Sequence, residues 1–257
     1  MDTKLISTLE FGIRGFDCGY GGPLRPFAMA NFLQEAAGEN ATRLGFGMGD
    51  LHAKGWTWML SRLELRTDLL PRDGERVSVR TWPAGTRKLF ALRDIEMLGQ
   101  GGRSLVRAVY AYLVVDMAAR RPLRPESVFG SEIPPVGAPH PVPDFAFDIP
   151  VAEGLEKAFA QRVSGRHIDH NGHANNAHLI DWLVDAAMAP SGGGPGRPEL
   201  ASLRVEFLSE ALEGDELLAA RAELTPPSAG AREPSRLFVT ELSRGASKVA
   251  RAQVGLR

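Results

Sequence analysis

Cysteine is nearly absent: Cys18 is the single one in 257 residues, which excludes an intramolecular disulfide framework and a multi-cysteine zinc site. Net charge is nearly absent as well. Thirty Lys and Arg against 31 Asp and Glu leave −1, so no global field marks a nucleic-acid or anionic-membrane partner. No stretch approaches the roughly 18 uninterrupted apolar residues of a membrane span, and the opening MDTKLISTLEF has no apolar signal core. Together these absences predict a soluble protein of a reducing cytoplasm. Basic charge comes from Arg far more than Lys, and Ala, Gly and Pro are abundant, which reflects a GC-rich genome and carries no functional information.

What is there is a globular composition. Hydrophobic residues make up 44% and charged residues 24%, too apolar for disorder. At roughly 100–200 residues per domain the length fits one large domain or two of about 125. A half-length repeat favours two. At an offset of 150 positions, Phe32-Leu33-Gln34-Glu35-Ala36-Ala37 lies over Trp182-Leu183-Val184-Asp185-Ala186-Ala187, and Gly22 lies over Gly172 without a gap. Met29, Phe32, Leu33, Ala36 and Ala37 recur at helical spacing, as do Ile180, Leu183, Val184 and Ala187, so each block ends a helix with one buried face. Pro26 suits a first helical turn, and Pro190 with SGGGPGRP ends the second helix.

The segments after each helix also correspond. LSRLELRTDLLPRDGERVSVRTW lies over ASLRVEFLSEALEGDELLAARAEL, Lys88-Leu89-Phe90 over Arg236-Leu237-Phe238, and Arg107-Ala108 over Arg251-Ala252. Leu63, Leu65, Val77 and Val79 alternate as strands do, and Asp73-Gly74 and Glu213-Gly214-Asp215 supply turns. The run RRPLRPESVFGSEIPPVGAPHPVPDFAFDIP is too rich in proline for a helix or inner strand. The expectation is an α+β fold by internal duplication: a domain over 1–128, a proline-rich linker over 129–156, and a domain over 157–257. Each helix buries its stripe on an antiparallel sheet, and the two sheets pair edge to edge, which removes exposed edges.

One segment breaks the symmetry. Residues 166–182 read RHIDHNGHANNAHLIDW, and Asp169, Asn171 and His173 lie over Gly19, Gly21 and Pro23. A helix cap, worth about 1 kcal/mol, accounts for one such residue and not for five. A helix N-terminus offers unpaired N–H groups and a positive dipole end to a polarised carbonyl oxygen, and Asn171 adds a side-chain donor. His173, with an ordinary pKa of about 6.5, exchanges protons near neutrality. Asp169 either orients His173 or acts on water directly, and the residues alone leave both open. His167, His170 and His178 would make a metal site with His173 by count only; they straddle a loop and a helix, and packing or exposed roles are expected for them.

The run Asp169-His170-Asn171-Gly172-His173-Ala174-Asn175-Asn176, with Trp182 and Asp185 beyond it, resembles the D-x-N-x-H-V-N-N…W…E signature of acyl-(acyl carrier protein) thioesterases. The resemblance extends over nearly the whole chain, through the LQEAA helix, WTWMLSRLEL with its DGE turn and TW strand, and the proline-containing linker. It implies two tandem hotdog domains, each a long helix wrapped by an antiparallel sheet. It also implies a catalytic set of Asp169, Asn171, His173 and Glu210, the last in VEFLSEALEGDEL, where Ala211 stands in the place of the family's usual cysteine. Taken alone, Glu210 reads as a solvated surface charge; the alignment of the two halves puts Asp68 opposite it. Ala174 for the usual Val and Leu179 for the usual Tyr bear on pocket shape.

In that family the first half holds the acyl tail. Trp58 and Phe32, with Asn175, are the pocket-lining candidates, while ordinary core accounts for Trp56, Met59, Leu60, Phe27, Met29 and Leu33. Arg120, Arg121 and Arg124 flank the linker and read as a solvated face. The expected reaction is hydrolysis of a fatty acyl thioester on acyl carrier protein, or on coenzyme A, releasing free fatty acid without cofactor or metal; the chain alone admits a homodimer. An enoyl-thioester dehydratase or hydratase and a non-catalytic acyl-chain or acyl-carrier binding module are the rivals.

Overall fold

A computed structural model describes residues 3–130, 139–189, 198–226 and 234–257. Pro190 and residues 191–197, expected to stop the second helix, lie outside these residues, as does the middle of the proline-rich segment, 131–138.

The first half runs β1 (Ser7–Gly12), α1 (Pro26–Arg43), α2 (Met48–His52), β2 (Trp56–Thr67), β3 (Arg76–Arg87), β4 (Phe90–Leu98), β5 (Ser104–Asp116), β6 (Arg121–Leu123) and α3 (Pro125–Phe129). The second runs β7 (Glu156–Arg162), α4 (Asn176–Met188), β8 (Leu200–Phe207), β9 (Glu216–Leu224), β10 (Arg236–Arg244) and β11 (Ser247–Leu256). All the strands join one antiparallel sheet in the order β1-β3-β4-β5-β2-β8-β11-β10-β9-β7, with β6 on β5. Read outward from the centre, the two sides have the same order of connection. The centre is the β2–β8 pairing, where Leu63 faces Val205 and Leu65 faces Leu203.

Strand alternation sorts the two faces of this sheet. Leu63, Leu65, Leu203 and Val205 turn to the helix side, where α1 and α4 lie side by side, each on its own half of the sheet. Fully burying each such side chain contributes about 1.5–3 kcal/mol. Helix α1 buries Met29, Leu33, Ala36 and Ala37, and α4 buries Ile180, Leu183, Val184 and Ala187, as the spacing predicts. Pro26 is the first residue of α1, a position where its missing N–H costs nothing.

The opposite face at the centre is charged. Glu64 is buried and accepts from Arg204 Nε (3.0 Å), Arg66 Nη2 (3.2 Å) and the Ala146 amide (2.8 Å). Arg62 binds Glu206 at 2.7 Å. Residues 139–150 of the proline-rich segment lie across this face: Phe145 and Phe147 pack on the patch of Leu92, Val109 and Ala111, and Arg251 holds the Pro150 carbonyl at 3.0 Å. His140 Nδ1 meets both carboxylate oxygens of Asp94, at 2.9 and 3.1 Å. The segment thus covers the sheet as well as linking its halves.

Burial of Asp94 raises its pKa from the usual carboxylate range to about 6, although His140 pulls it down. A folded-state value above the unfolded one means that ionised Asp94 costs the fold, a cost absent below about pH 4 and complete above about pH 6. Between pH 4 and 7 the stability of Asp94→Asn relative to wild type should shift in favour of the variant, by on the order of 2–3 kcal/mol. Denaturant melts at the two pH values measure this, and a pH-independent difference would contradict the assignment.

Candidate active site

The turn that carries the polar run is a backbone device used twice. In the second half Asp169 N donates to His173 O (3.0 Å), Gly172 N to Asp169 O (3.0 Å) and Asn175 N to His167 O (2.9 Å). In the first half, 150 positions earlier, Gly19 N donates to Pro23 O (2.8 Å), Gly22 N to Gly19 O (3.0 Å) and Arg25 N to Asp17 O (2.9 Å). Gly22 and Gly172 take φ of +96° and +85°, a region that glycine enters without steric cost. The turn therefore closes on Gly19, Gly21 and Pro23 as well as on Asp169, Asn171 and His173. The backbone does not need the acid, the amide or the imidazole.

Those side chains gather at the start of α4. Asp169 Oδ1 accepts the backbone N–H of Asn171 at 2.8 Å and lies 3.9 Å from His173 Nδ1, so acid and imidazole are polar neighbours beyond hydrogen-bond distance. His173 Nδ1 also lies 3.4 Å from the Ala174 carbonyl. Asn175 caps α4, its Oδ1 accepting Ala177 N at 2.9 Å. The same Asn175 meets the other half of the chain: Gln34 Nε2 donates to its Oδ1 (3.3 Å), and its Nδ2 donates to Asn31 Oδ1 (3.4 Å). Asn31 and Gln34 escaped the sequence analysis, because only the packing of α1 beside α4 makes them part of the site.

Glu210 reaches the site from another element. Ala174 N donates to Ala211 O at 2.8 Å, which pins the segment after β8 against the turn. Glu210 is exposed on the wall of the same cavity as Asp169, Asn171 and His173, and among the described residues it makes no ion pair with either His173 or a basic side chain. The corresponding bond in the first half is Leu24 N to Pro71 O, 2.8 Å. Leu70, buried, therefore stands opposite Glu210, correcting the alignment that put Asp68 there; Asp68 pairs with Arg107 at 3.0 Å.

The neighbouring histidines divide by environment. His167 and His178 pack against each other, Trp182 and Phe27, with ring centroids 4.4–5.8 Å apart. Burial depresses both, His178 to about 4, so at neutral pH they are uncharged packing groups. His170 faces the cavity. Among the described residues no group of three or more His, Cys, Asp or Glu side chains has metal-binding spacing. Cys18 is half-buried, and burial with the nearby Asp73 raises its pKa; its thiol stays protonated and is a poor nucleophile.

From the turn a cavity of about 1700 Å³ extends into the first half. Trp58, Leu60, Phe46 and Phe129 give it an apolar wall. Trp58 stacks on Phe129 at 5.4 Å and donates its indole N–H to Phe46 O at 2.8 Å, which fixes the ring. Phe32 does not line the cavity: it stacks on Phe11 at 4.6 Å in the core behind α1. The structure thus brings together Asp169, Asn171, His173, Glu210, Asn175 and Trp58, and leaves Phe32 apart.

Residues 5–129 match the acyl-ACP thioesterase N-terminal domain. A chloroplastic palmitoyl-acyl carrier protein thioesterase of Gossypium hirsutum is 28% identical over 220 residues, 80% of this chain and 52% of the relative. A chloroplastic dodecanoyl-[acyl-carrier-protein] hydrolase of Cinnamomum camphora is 26% identical over 70% of this chain and 50% of its own length. The chain spans about half the length of these curated relatives. In structure it is similar to an acyl-ACP thioesterase of Bacteroides thetaiotaomicron, with TM-score 0.78, 22% identity and coverage of 100% and 99% of the two chains. The 12:0-ACP thioesterase of Umbellularia californica gives TM-score 0.80 at 19% identity over 98% and 94%. These likenesses show a hotdog-like fold.

Asn175 caps α4 and bridges to α1, so Asn175→Ala should cost about 1 kcal/mol. In a chain of this size that lowers the melting temperature by roughly 2–4 °C. A calorimetric scan checks it; an unchanged melt would show that the cap is dispensable.

Proposed function

We propose, on the premise that residues 5–129 match the acyl-ACP thioesterase N-terminal domain, that the whole chain hydrolyses fatty acyl thioesters of acyl carrier protein to free fatty acids. The carrying observation is the turn built twice, once with Gly19, Gly21 and Pro23 and once with Asp169, Asn171 and His173. Side chains that the fold does not require, gathered on a cavity with an apolar arm, are there for chemistry. We read the shared order of connection as a tandem pair of hotdog domains: the first, within 1–128, houses the tail, and the second, within 157–257, supplies the reacting groups.

In this reading the thioester carbonyl docks at the N-terminal end of α4. The helix dipole and the Asn171 amide there stabilise charge developing on oxygen, and one such donor is typically worth about 10²–10³ in rate. Water adds its oxygen to the carbonyl carbon, and the C–S bond breaks. The carboxylate and imidazole of Asp169 and His173, neighbours at 3.9 Å, take the proton of the attacking water and return one to the departing thiolate. Products are a fatty acid and the free carrier thiol. Ala211 in the usual cysteine place and the protonated Cys18 support water rather than a thiolate as the nucleophile. In the same reading Glu210, exposed on the cavity wall, polarises that water.

Free-thiol release from acyl carrier protein and coenzyme A thioesters tests this. Asp169→Ala and His173→Ala should each lower kcat by about 10²–10⁴ while the melting temperature stays within a few degrees. No release from any thioester by the wild type would sink the hydrolase reading, and hydration of enoyl thioesters by the same protein would establish the rival. A separate measurement concerns Glu210→Gln. It should lower kcat at least tenfold with stability within ~0.5 kcal/mol, as for an exposed substitution; an unchanged kcat would remove Glu210 from the reacting set.

A further inference from the structure

The apolar arm of the cavity is lined by a cation, Arg93, that the proposed reaction does not use. Arg93 of β4 lines it together with Ala37, Ala41, Leu44 and Tyr112. Its Nη1 donates to Asn40 Oδ1 (2.5 Å) and Thr81 Oγ1 (3.4 Å). Asn40 is itself fully buried and locked, its Nδ2 donating to Leu5 O (3.1 Å) and Ser7 Oγ (2.8 Å), so its oxygen has one orientation and holds the guanidinium there. Among the described residues no carboxylate lies within ion-pair distance of Arg93. The adjacent Asp94 points to the opposite face of the sheet, where it binds His140. Burial lowers the pKa of Arg93 to about 10, which leaves it charged at neutrality.

Helix α1 serves as a ruler between this cation and the reacting groups. Its Asn31 and Gln34 meet Asn175 beside the polar turn, and its Asn40 meets Arg93, roughly 9–14 Å further along at ~1.5 Å per residue. An alkyl tail pressed on the guanidinium would strip water from a charge and return no acceptor, which is costly. Methylenes short of it are favoured. We propose that Arg93, aimed by Asn40, is the charged floor of the tail cavity and sets the longest acyl chain the site accepts.

This inference rests on the thioesterase reading, and its test separates the two. Binding of saturated free fatty acids is measured by displacement of a fluorescent fatty acid, beside thiol release from the matching acyl carrier protein thioesters. In wild type, affinity should rise about fourfold per methylene to a limiting length and then fall at least tenfold for the next two carbons. A terminally hydroxylated chain of that excessive length should regain at least fivefold, since its oxygen accepts from the guanidinium. In Arg93→Met the rise should continue for two or more carbons and the hydroxyl gain should vanish; in Arg93→Lys the break should stay. The same limiting length in Arg93→Met, or no hydroxyl gain in wild type, would overturn the floor. Should Arg93→Met fail to fold, the hydroxyl comparison on wild type decides. A length break without thiol release would sink the thioesterase reading alone, and release without a break would sink the floor alone.

Discussion

The antiparallel pairing of β2 with β8 is the contact on which the rest of the molecule depends. It joins two half-sheets into one, and its alternating residues commit each face of the sheet. Leu63, Leu65, Leu203 and Val205 turn inward and draw α1 and α4 side by side. That neighbourhood brings Asn31 and Gln34 of the first half to Asn175 of the second. It also lets a cavity that starts at the polar turn continue beneath the other half's helix. A register slip of one residue would turn the inward set outward and separate the polar turn from the apolar arm.

The outward face shows what that commitment costs. Glu64 is buried at the seam and is held by Arg204, Arg66 and the Ala146 amide. A buried carboxylate is tolerated when paired and hydrogen-bonded in this way. The proline-rich segment completes the arrangement by laying Phe145 and Phe147 over an apolar patch that would otherwise face water. Its prolines suit this role, since a chain without N–H donors at many positions can cross a sheet face without demanding ladder partners.

The two halves differ in polarity at this turn. One turn geometry is used twice, and only the second copy carries an acid, an amide and an imidazole at the positions that Gly19, Gly21 and Pro23 fill in the first. His167 and His178 pack beside it in neutral form, held uncharged by burial, which leaves His173 as the imidazole facing both the cavity and Asp169.

The amino-acid sequence by itself determined the elements and singled out the polar turn. Period-3.6 stripes marked α1 and α4, period-two alternation marked β2 and β3, and the contrast of Asp169, Asn171 and His173 with Gly19, Gly21 and Pro23 marked the candidate cluster, because these are local properties of side-chain spacing. Only the tertiary structure decided which distant residues share that site. Phe32 has the same apolar character as Trp58, yet it stacks on Phe11 behind α1 while Trp58 lines the cavity. The counterpart of Glu210 moved from Asp68 to Leu70 once backbone bonds rather than letters were matched. Asn31, Gln34 and Arg93 acquire their positions from helix packing and sheet register. Those depend on contacts between residues far apart in the chain, which no local pattern encodes.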